Sequence, residues 1–162
     1  MVDVVISDNT TGADYSGTED NYIRSGAVNQ NNGLASNIAI NNGTDDNITL
    51  SFSGLSNLPT GLTVSAASIN LYLNARGSGT GDHTNEAYRL LRNWVETEAT
   101  WNIYSSGNSW TTPGGLSPGN DIASTASWSG KTYTDTLAEY KAISMDSQGL
   151  TDIENIVDSV VS

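Results

Sequence analysis

Short apolar stretches that end at turn-forming residues are the feature that most restricts the fold of this sequence. Residues 48–52 (ITLSF) and 67–73 (ASINLYL) place apolar side chains at alternate positions. A period of two puts these side chains on one face of a β-strand. The intervening segments, such as NNG, GTDDN and LPTG, are rich in turn formers. The pattern predicts an all-β fold, either an antiparallel sandwich or a barrel.

Shorter apolar stretches predict additional strands, at residues 2–6, 20–24, 37–41, 132–136 and 140–145. The segment between Ile103 and Lys131 reads mostly as loop, although it contains aromatic residues. So long an irregular segment in a compact domain is normally functional or packed by its own aromatics.

The C-terminal end changes from β to helical character. Residues 151–154 (TDIE) form a capping-box pattern, which predicts a helix start. The apolar residues that follow lie on one helical stripe, namely Ile153, Ile156, Val157, Val160 and Val161. We therefore predict one short amphipathic helix. A length of 162 residues favours one domain, which we place at 20–162, with residues 1–19 as an N-terminal arm or a first strand plus loop.

The charge balance excludes several partner classes. Six basic and eighteen acidic residues give a formal net charge of −12. Phosphate binding requires clustered Lys and Arg, so nucleic acid is not expected as a partner. The negative field also repels acidic polysaccharides unless divalent cations intervene. No apolar run is long enough to cross a bilayer, and no secretion signal is recognisable, so we expect no membrane insertion.

Sequence motifs give little support for catalysis. The absence of cysteine excludes thiolate chemistry and Cys-based zinc sites. Residues 115–119 (GLSPG) match the nucleophile-elbow pattern, but Pro118 falls where the helix would begin and the single histidine, His83, lies upstream. A Gly/Pro turn is the better interpretation. Residues 77–81 (GSGTG) lack a phosphate-binding lysine and read as a flexible hairpin.

The stretch 93–102 (NWVETEATWN) allows two interpretations. In an extended segment, Glu96 and Glu98 would point to one face about 7 Å apart, within range of a glycosidase pair. No further acidic, amide and aromatic residues can be assigned around them. The other interpretation is a structural corner, in which the side chains fix the chain by hydrogen bonds.

Acidic turns raise the question of a cation. The clusters around Asp20 and around Asp45 and Asp46 could supply oxygen ligands for Ca²⁺, although the EF-hand spacing is missing. Solvated turn residues are the plain interpretation. We predict no cofactor, and keep a structural calcium ion as a hypothesis.

Several segments together resemble the DNRLRE-type β-jelly-roll domain, a family also classed among carbohydrate-binding modules. The resemblance runs through DNYIRSG at 20–26 and ITLSFSGLSNLPTGLTVSAASINLYL at 48–73. It continues through AYRLLRNWVETEATWN at 87–102, GNSWTTPGG at 107–115 and the terminal TDIENIVDSVV. It implies a jelly-roll sandwich without catalytic activity. It also implies that 93–102 is a structural corner built from Trp94, Glu96, Thr100 and Trp101. We expect Trp94, in register with Tyr88 and Leu90, to be the more buried indole.

The sequence departs from the family pattern at two places. The strand at 47–54 (NITLSFSG) lacks the arginines behind the family name, and no closing strand of the N-x-G-x-x-L kind follows the helix. We expect either a continuation of the polypeptide or strand addition by a neighbouring chain.

Members of such a family serve as surface modules, and two functions fit. The first is a virion component, such as a capsid decoration protein, head fibre or tail-fibre domain, whose partners are other virion proteins or further copies of itself. The alternative is a carbohydrate-binding module for host or neutral glycans, with Tyr104, Trp110 and Trp128 stacking on sugar rings. Buried loop anchors are the competing use of these rings. Both functions place the protein at a virion surface or outside the cell.

Overall fold

The computed structural model describes residues 17–39, 45–53, 58–75, 83–133 and 137–160. Within these ranges the strands pair antiparallel, and one α-helix follows them. The elements are β1 (Thr18–Arg24), a 3-10 turn (Ser25–Ala27), β2 (Asp46–Phe52), β3 (Ser68–Leu73), β4 (His83–Ala87), β5 (Ile103–Ser105), β6 (Asn108–Ser109), β7 (Trp128–Tyr133), β8 (Glu139–Ser144) and α1 (Ser147–Val160). These are the elements of an all-β sandwich-class fold with one C-terminal helix, and the prediction of this class is confirmed.

The chain divides into two compact units. The first comprises Met1–Leu58 and Asn93–Gly115, and the second comprises Pro59–Arg92 and Leu116–Ser162. Among the described residues, each unit contains two strand pairs. Unit 1 holds β1 with β2 and β5 with β6, whereas unit 2 holds β3 with β8 and β4 with β7.

The β1–β2 pair in unit 1 has an unusually polar buried face. Its register joins Thr18 to Phe52 at one end and Arg24 to Asp46 at the other. Fully or almost fully buried on this pair are Asn21, Ile23 and Thr49.

The prediction that Ile48, Leu50 and Phe52 form the buried face of β2 is therefore wrong. Ile48, Leu50 and Phe52 are only half-buried, whereas Thr49, from the opposite face, is buried opposite Asn21. Asn21 is buried on this face because its side-chain amide donates to the backbone carbonyls of Glu96 and Ala99.

The β3–β8 pair in unit 2 follows the predicted alternation. Ile69, Leu71 and Leu73 are half-buried, whereas the intervening residues of β3 are exposed. Its register joins Ser68 to Ser144 and Leu73 to Glu139. The prediction of a strand at 67–73 with one inward apolar face is confirmed.

The other predicted strands have mixed outcomes. Residues 20–24 lie in β1 and residues 140–144 lie in β8, as predicted, whereas Met145 follows the end of β8. Residues 132–133 belong to β7, which begins earlier, at Trp128, and 134–136 fall outside the described residues. The predicted strand at 37–41 is wrong for its described part, 37–39, which bends at Asn37 and forms no strand. The predicted strand at 2–6 lies outside the described residues.

Helix α1 exists as predicted but begins at Ser147, four residues before the capping-box threonine. A Cβ placed on Gly149 would lie 2.6 Å from the carbonyl oxygen of Ser127, so a side-chain-free residue lets the first turn pack against that carbonyl. A local capping pattern cannot predict this tertiary contact. On the predicted stripe Val157 is fully buried and Ile153 and Ile156 are half-buried.

Two carboxylates of α1 bind the segment at residues 58–67, which precedes β3. Glu154 Oε1 accepts the Val64 N–H at 2.8 Å, and Asp158 Oδ1 accepts the Gly61 N–H at 3.0 Å. Since the two acidic residues are four positions apart, they lie on one side of the helix. The helix thus fixes the chain that leads into the β3–β8 pair.

Candidate functional site

The stretch 93–102 is organised around two backbone carbonyl groups. Asn21 Nδ2 donates to the carbonyl oxygens of Glu96 and Ala99 at 3.2 and 2.9 Å. Asn31 Nδ2 donates to the same two oxygens at 2.7 and 2.8 Å. Asn21 Oδ1 in turn accepts the Asn32 N–H at 3.1 Å. Two asparagine side chains therefore join β1, the loop around Asn31 and this turn.

The acidic and hydroxyl side chains of the stretch are also bound to backbone. Glu96 Oε1 accepts the Asp20 N–H at 3.0 Å, and Glu98 Oε2 accepts the Ser106 N–H at 2.7 Å. Thr100 Oγ1 accepts the N–H groups of the two residues at 102 and 103 at 3.2 and 3.3 Å. The two carboxylates hold different segments in place, which is the chemistry of a corner and not that of an acid/base pair.

The indoles of the stretch differ in burial from the expectation. Trp101 is buried, whereas Trp94 is half-buried, so the choice of Trp94 as the more buried ring is wrong. Gly114 explains the difference, since a Cβ on it would lie 2.7 Å from the Trp101 ring. Gly114 also has φ of +86°, which favours glycine. The turn at 112–115 can therefore close over this indole.

The three aromatic residues predicted to bind a glycan are placed mainly as anchors. Trp110 is 4% exposed, and its Nε1–H donates to the Thr100 carbonyl at 2.9 Å. Tyr104 is half-buried, with its ring centroid 5.4 Å from that of Trp110. Trp128, in unit 2, is 8% exposed and donates to Asn85 Oδ1 at 2.7 Å. Neither indole presents a ring face to a ligand, which agrees with the competing use as loop anchors.

The residues of the calcium hypothesis are spread along one strand pair. Asp20 lies opposite Leu50, and Asp46 lies opposite Arg24. Four strand positions separate the two carboxylates, about 13 Å at the usual rise. Asp46 pairs instead with Arg24 Nε at 3.5 Å, and Asp45 is exposed next to it. Among the described residues, no group of three or more His, Asp or Glu side chains could hold a metal ion.

The serine motif forms a turn, as the Gly/Pro interpretation expects. The Ser117 carbonyl accepts N–H groups from Asp121 and Ile122 at 2.8 and 3.2 Å, and Gly119 closes the turn with φ of +76°. His83 is the first residue of β4. No helix follows the serine here, so the segment is not a nucleophile elbow.

A feature that the sequence-based site prediction missed is an exposed pair of tyrosines on β3 and β8. Tyr72 and Tyr140 are directly opposite in the register and are 53% and 61% exposed. Their ring centroids are 5.1 Å apart, with an interplanar angle of 64°. Edge-to-face contact at this distance is favourable, so each ring helps to hold the other.

The tyrosines belong to a continuous exposed sheet surface, which we call the tyrosine face. Its other members are small or polar, namely Ser68 and Asn70 on β3 and Ala142 and Ser144 on β8. Exposed apolar groups that lie together and are bordered by polar residues often mark interaction sites. The alternation in 67–73 already placed Tyr72 on the polar side of β3. Its partner Tyr140 could not be inferred, because the pairing depends on a distant segment.

A comparison with family models decides the assignment. The model of carbohydrate-binding module family 96 matches residues 11–112, more than half of the sequence. The chain belongs to this family. No curated protein and no solved structure matches the chain. Membership in family 96 favours the carbohydrate-binding alternative over the virion role, and it agrees with the expectation of a binding module without catalysis.

The family 96 match and the tyrosine face overlap only in part. The matched residues include β3 with Tyr72 and end before β8 with Tyr140. Trp94, Trp101 and Trp110 lie within the match, whereas Trp128 lies outside it. Within the described residues, no helix combines the length and hydropathy needed to cross a membrane.

The charges of this family 96 member limit its ligands. Arg89 Nε lies 3.6 Å from Asp152 Oδ1, and Arg92 Nε lies 3.3 Å from Asp121 Oδ1. Lys141 Nζ contacts Glu139 Oε1, and Arg24 contacts Asp46 as described above. Each basic side chain that the structure describes is therefore next to a carboxylate. Such pairs have little remaining attraction for an anionic ligand.

Proposed function

We propose that this chain is a non-catalytic carbohydrate-binding module that binds a neutral glycan on the tyrosine face. The observation that carries the proposal is the exposed Tyr72–Tyr140 pair in a chain of a carbohydrate-binding family. The proposal replaces Tyr104, Trp110 and Trp128 as the sugar-stacking residues.

Tyrosine rings suit this role physically. The C–H groups on one face of a pyranose ring are apolar, and they gain by leaving water against an aromatic face. A tyrosine has two side-chain torsions, so fixing it on a ligand costs little conformational entropy. Its hydroxyl group can also donate to or accept from sugar hydroxyls. The mutual contact of the two rings restricts them before any ligand arrives.

The charge of the ligand follows from the charge of the protein. A net charge of −12 opposes the approach of uronate or sulfate groups. Lys141 belongs to β8 but is buried, with its amino group directed to Glu139. The described members of the tyrosine face carry hydroxyl, amide and methyl groups and no charge. A glycan that is rich in hydroxyl groups and carries no charge fits this surface.

The non-catalytic part of the proposal is supported by the corner. Glu96 and Glu98, the only carboxylate pair that suggested a glycosidase, each accept a backbone N–H from a different segment. The family assignment favours a module on a cell surface or on an extracellular protein. The predicted virion role has no support in the family assignment, which favours the carbohydrate-binding alternative.

Affinity electrophoresis tests the proposal. Gels containing soluble xylan, mannan or mixed-linkage β-glucan represent neutral glycans, and gels containing polygalacturonate or alginate, each with CaCl₂ or EDTA, represent acidic ones. We expect a neutral polysaccharide to retard the wild type. Tyr72→Ala and Tyr140→Ala should each lower the affinity for this polysaccharide at least tenfold and leave the melting temperature unchanged.

Two controls accompany these variants. Leu34→Ala removes a side chain that is 84% exposed in unit 1 and should leave binding unchanged. Tyr72→Phe keeps the ring and should retain most of the affinity if stacking dominates. Full retardation of the Tyr72→Ala/Tyr140→Ala double variant, or retardation by acidic polysaccharides alone, would overturn the proposal.

A further inference from the structure

We infer that the tyrosine face takes a single extended glycan chain lying along β3 and β8, with Asn70 as a polar contact beyond the rings, and that it does not bind crystalline polysaccharide surfaces. This inference rests on the proposed glycan binding and adds the physical form of the ligand and its direction.

The angle between the two rings argues against a flat ligand surface. A crystalline polysaccharide presents coplanar sugar rings, and stacking on it requires aromatic rings that share one plane. The rings of Tyr72 and Tyr140 are inclined by 64° to each other. Only one of them can therefore lie parallel to such a surface, and the other meets it with an edge. A single flexible chain can place one sugar on a ring face and the next sugar against the inclined ring.

The composition of the face sets the direction of the chain. The tyrosines occupy one end of the β3–β8 pair, next to the last register pair, Leu73 with Glu139. Towards the other end, the exposed positions pair Asn70 with Ala142 and then Ser68 with Ser144. At the usual strand rise these pairs lie about 7 and 13 Å from the tyrosines. The exposed polar face therefore continues along the strands for more than one sugar unit.

The side chains beyond the rings are suited to hold a second and a third sugar. Ala142 projects little from the sheet, so it leaves room beside Asn70 for a sugar ring. The Asn70 amide supplies both donor and acceptor groups, and the hydroxyls of Ser68 and Ser144 do the same at the next step. These groups contribute to binding only when the ligand is long enough to reach them.

Isothermal titration calorimetry with oligosaccharides tests the inference. The probes are the di- to hexasaccharides of the neutral polysaccharide that retards the wild type most strongly. We expect affinity to rise by at least tenfold between the disaccharide and the tetrasaccharide. Asn70→Ala should weaken binding of the tetrasaccharide by about three- to tenfold, the range of one hydrogen bond, and leave the disaccharide unchanged.

A matched control and a second assay complete the test. Asn120→Ala removes another exposed asparagine of unit 2, in the turn at 117–122, and should change nothing. In sedimentation assays with microcrystalline cellulose and with crystalline chitin, the wild type should remain in the supernatant.

The outcomes separate this inference from the proposed function. The inference alone is overturned if Tyr72→Ala loses binding and one of three further results is found. These are an affinity that does not depend on the length of the oligosaccharide, unchanged binding by Asn70→Ala, or cosedimentation of the wild type with a crystalline polysaccharide. Binding that is unaffected by both tyrosine substitutions would overturn the proposed function and the inference with it.

Discussion

Asn21→Ala is expected to be among the most damaging small substitutions in unit 1. The side chain is fully buried, and it makes three hydrogen bonds, two through Nδ2 and one through Oδ1. Its loss leaves the buried Asn32 N–H without its acceptor, which costs about 1–3 kcal/mol. Losing the two bonds to the carbonyls of Glu96 and Ala99 adds about 1 kcal/mol, because Asn31 still donates to both oxygens. We therefore expect destabilisation by about 2–4 kcal/mol.

Asn31→Ala is the matched comparison. Asn31 donates to the same two carbonyls but is only half-buried, so water can replace part of what it supplies. We expect a loss of about 1 kcal/mol. The Asn21→Ala/Asn31→Ala double variant should lose more than the sum, by about 1 kcal/mol or more, because each carbonyl then loses its second amide donor.

Urea unfolding followed by tryptophan fluorescence measures these differences. Three of the four tryptophans, Trp94, Trp101 and Trp110, belong to unit 1, so the signal reports mainly on the unit that is perturbed. The reasoning is refuted if Asn31→Ala is as damaging as Asn21→Ala. It is refuted equally if the double-variant loss equals the sum of the single losses within about 0.3 kcal/mol.

Three further predictions concern other parts of the chain. Trp110→Ala should lower the free energy of unfolding by about 3–5 kcal/mol, as expected for a buried indole; a glycan-binding defect at full stability would instead restore Trp110 as a contact residue. Ala138 has φ of +59°, a left-handed conformation that is strained for alanine, so Ala138→Gly should raise stability by about 0.5–1 kcal/mol in thermal denaturation. An unchanged or lower melting temperature contradicts this. The pKa of Tyr88 is raised above 10.0 by its partial burial, which is the largest cause, and by the hydrogen bond to Glu86 and the negative charge of Glu86. The folded state then favours the protonated phenol, so this contribution to stability is complete below pH 10 and is lost as the pH rises through the folded-state pKa. The stability difference between the wild type and Tyr88→Phe should therefore shrink only above pH 10, and a change near neutral pH would contradict the assignment.

Elements whose signal is local could be predicted from the sequence. The alternation in 67–73 placed β3 and its inward side chains correctly, because one face of this strand contacts apolar residues such as Ile143. The periodic apolar residues after Asp152 likewise predicted α1. The capping box at 151–154 predicted the start of α1 four residues too late; the first turn packs Gly149 close to the Ser127 carbonyl, which lies far away in sequence.

Features that arise from the pairing of distant segments could not be predicted. The buried face of β1–β2 holds Asn21 and Thr49, which a hydrophobicity pattern assigns to the surface. The burial of Asn21 is possible because the carbonyls of the corner supply the acceptor groups that its side chain requires. The candidate site has the same origin. Tyr72 and Tyr140 lie in separate strands, and only the β3–β8 register makes them neighbours.

A titration of the protein with a soluble oligosaccharide, followed by NMR, tests the central claim most directly. The claim is that a neutral glycan contacts Tyr72 and Tyr140 while the tryptophans serve as internal anchors. We expect saturable shifts in the aromatic ring signals of these two tyrosines, assigned through their phenylalanine variants, and unshifted indole N–H signals of Trp110 and Trp128. Saturable shifts at these indoles with unchanged tyrosine signals would contradict the account.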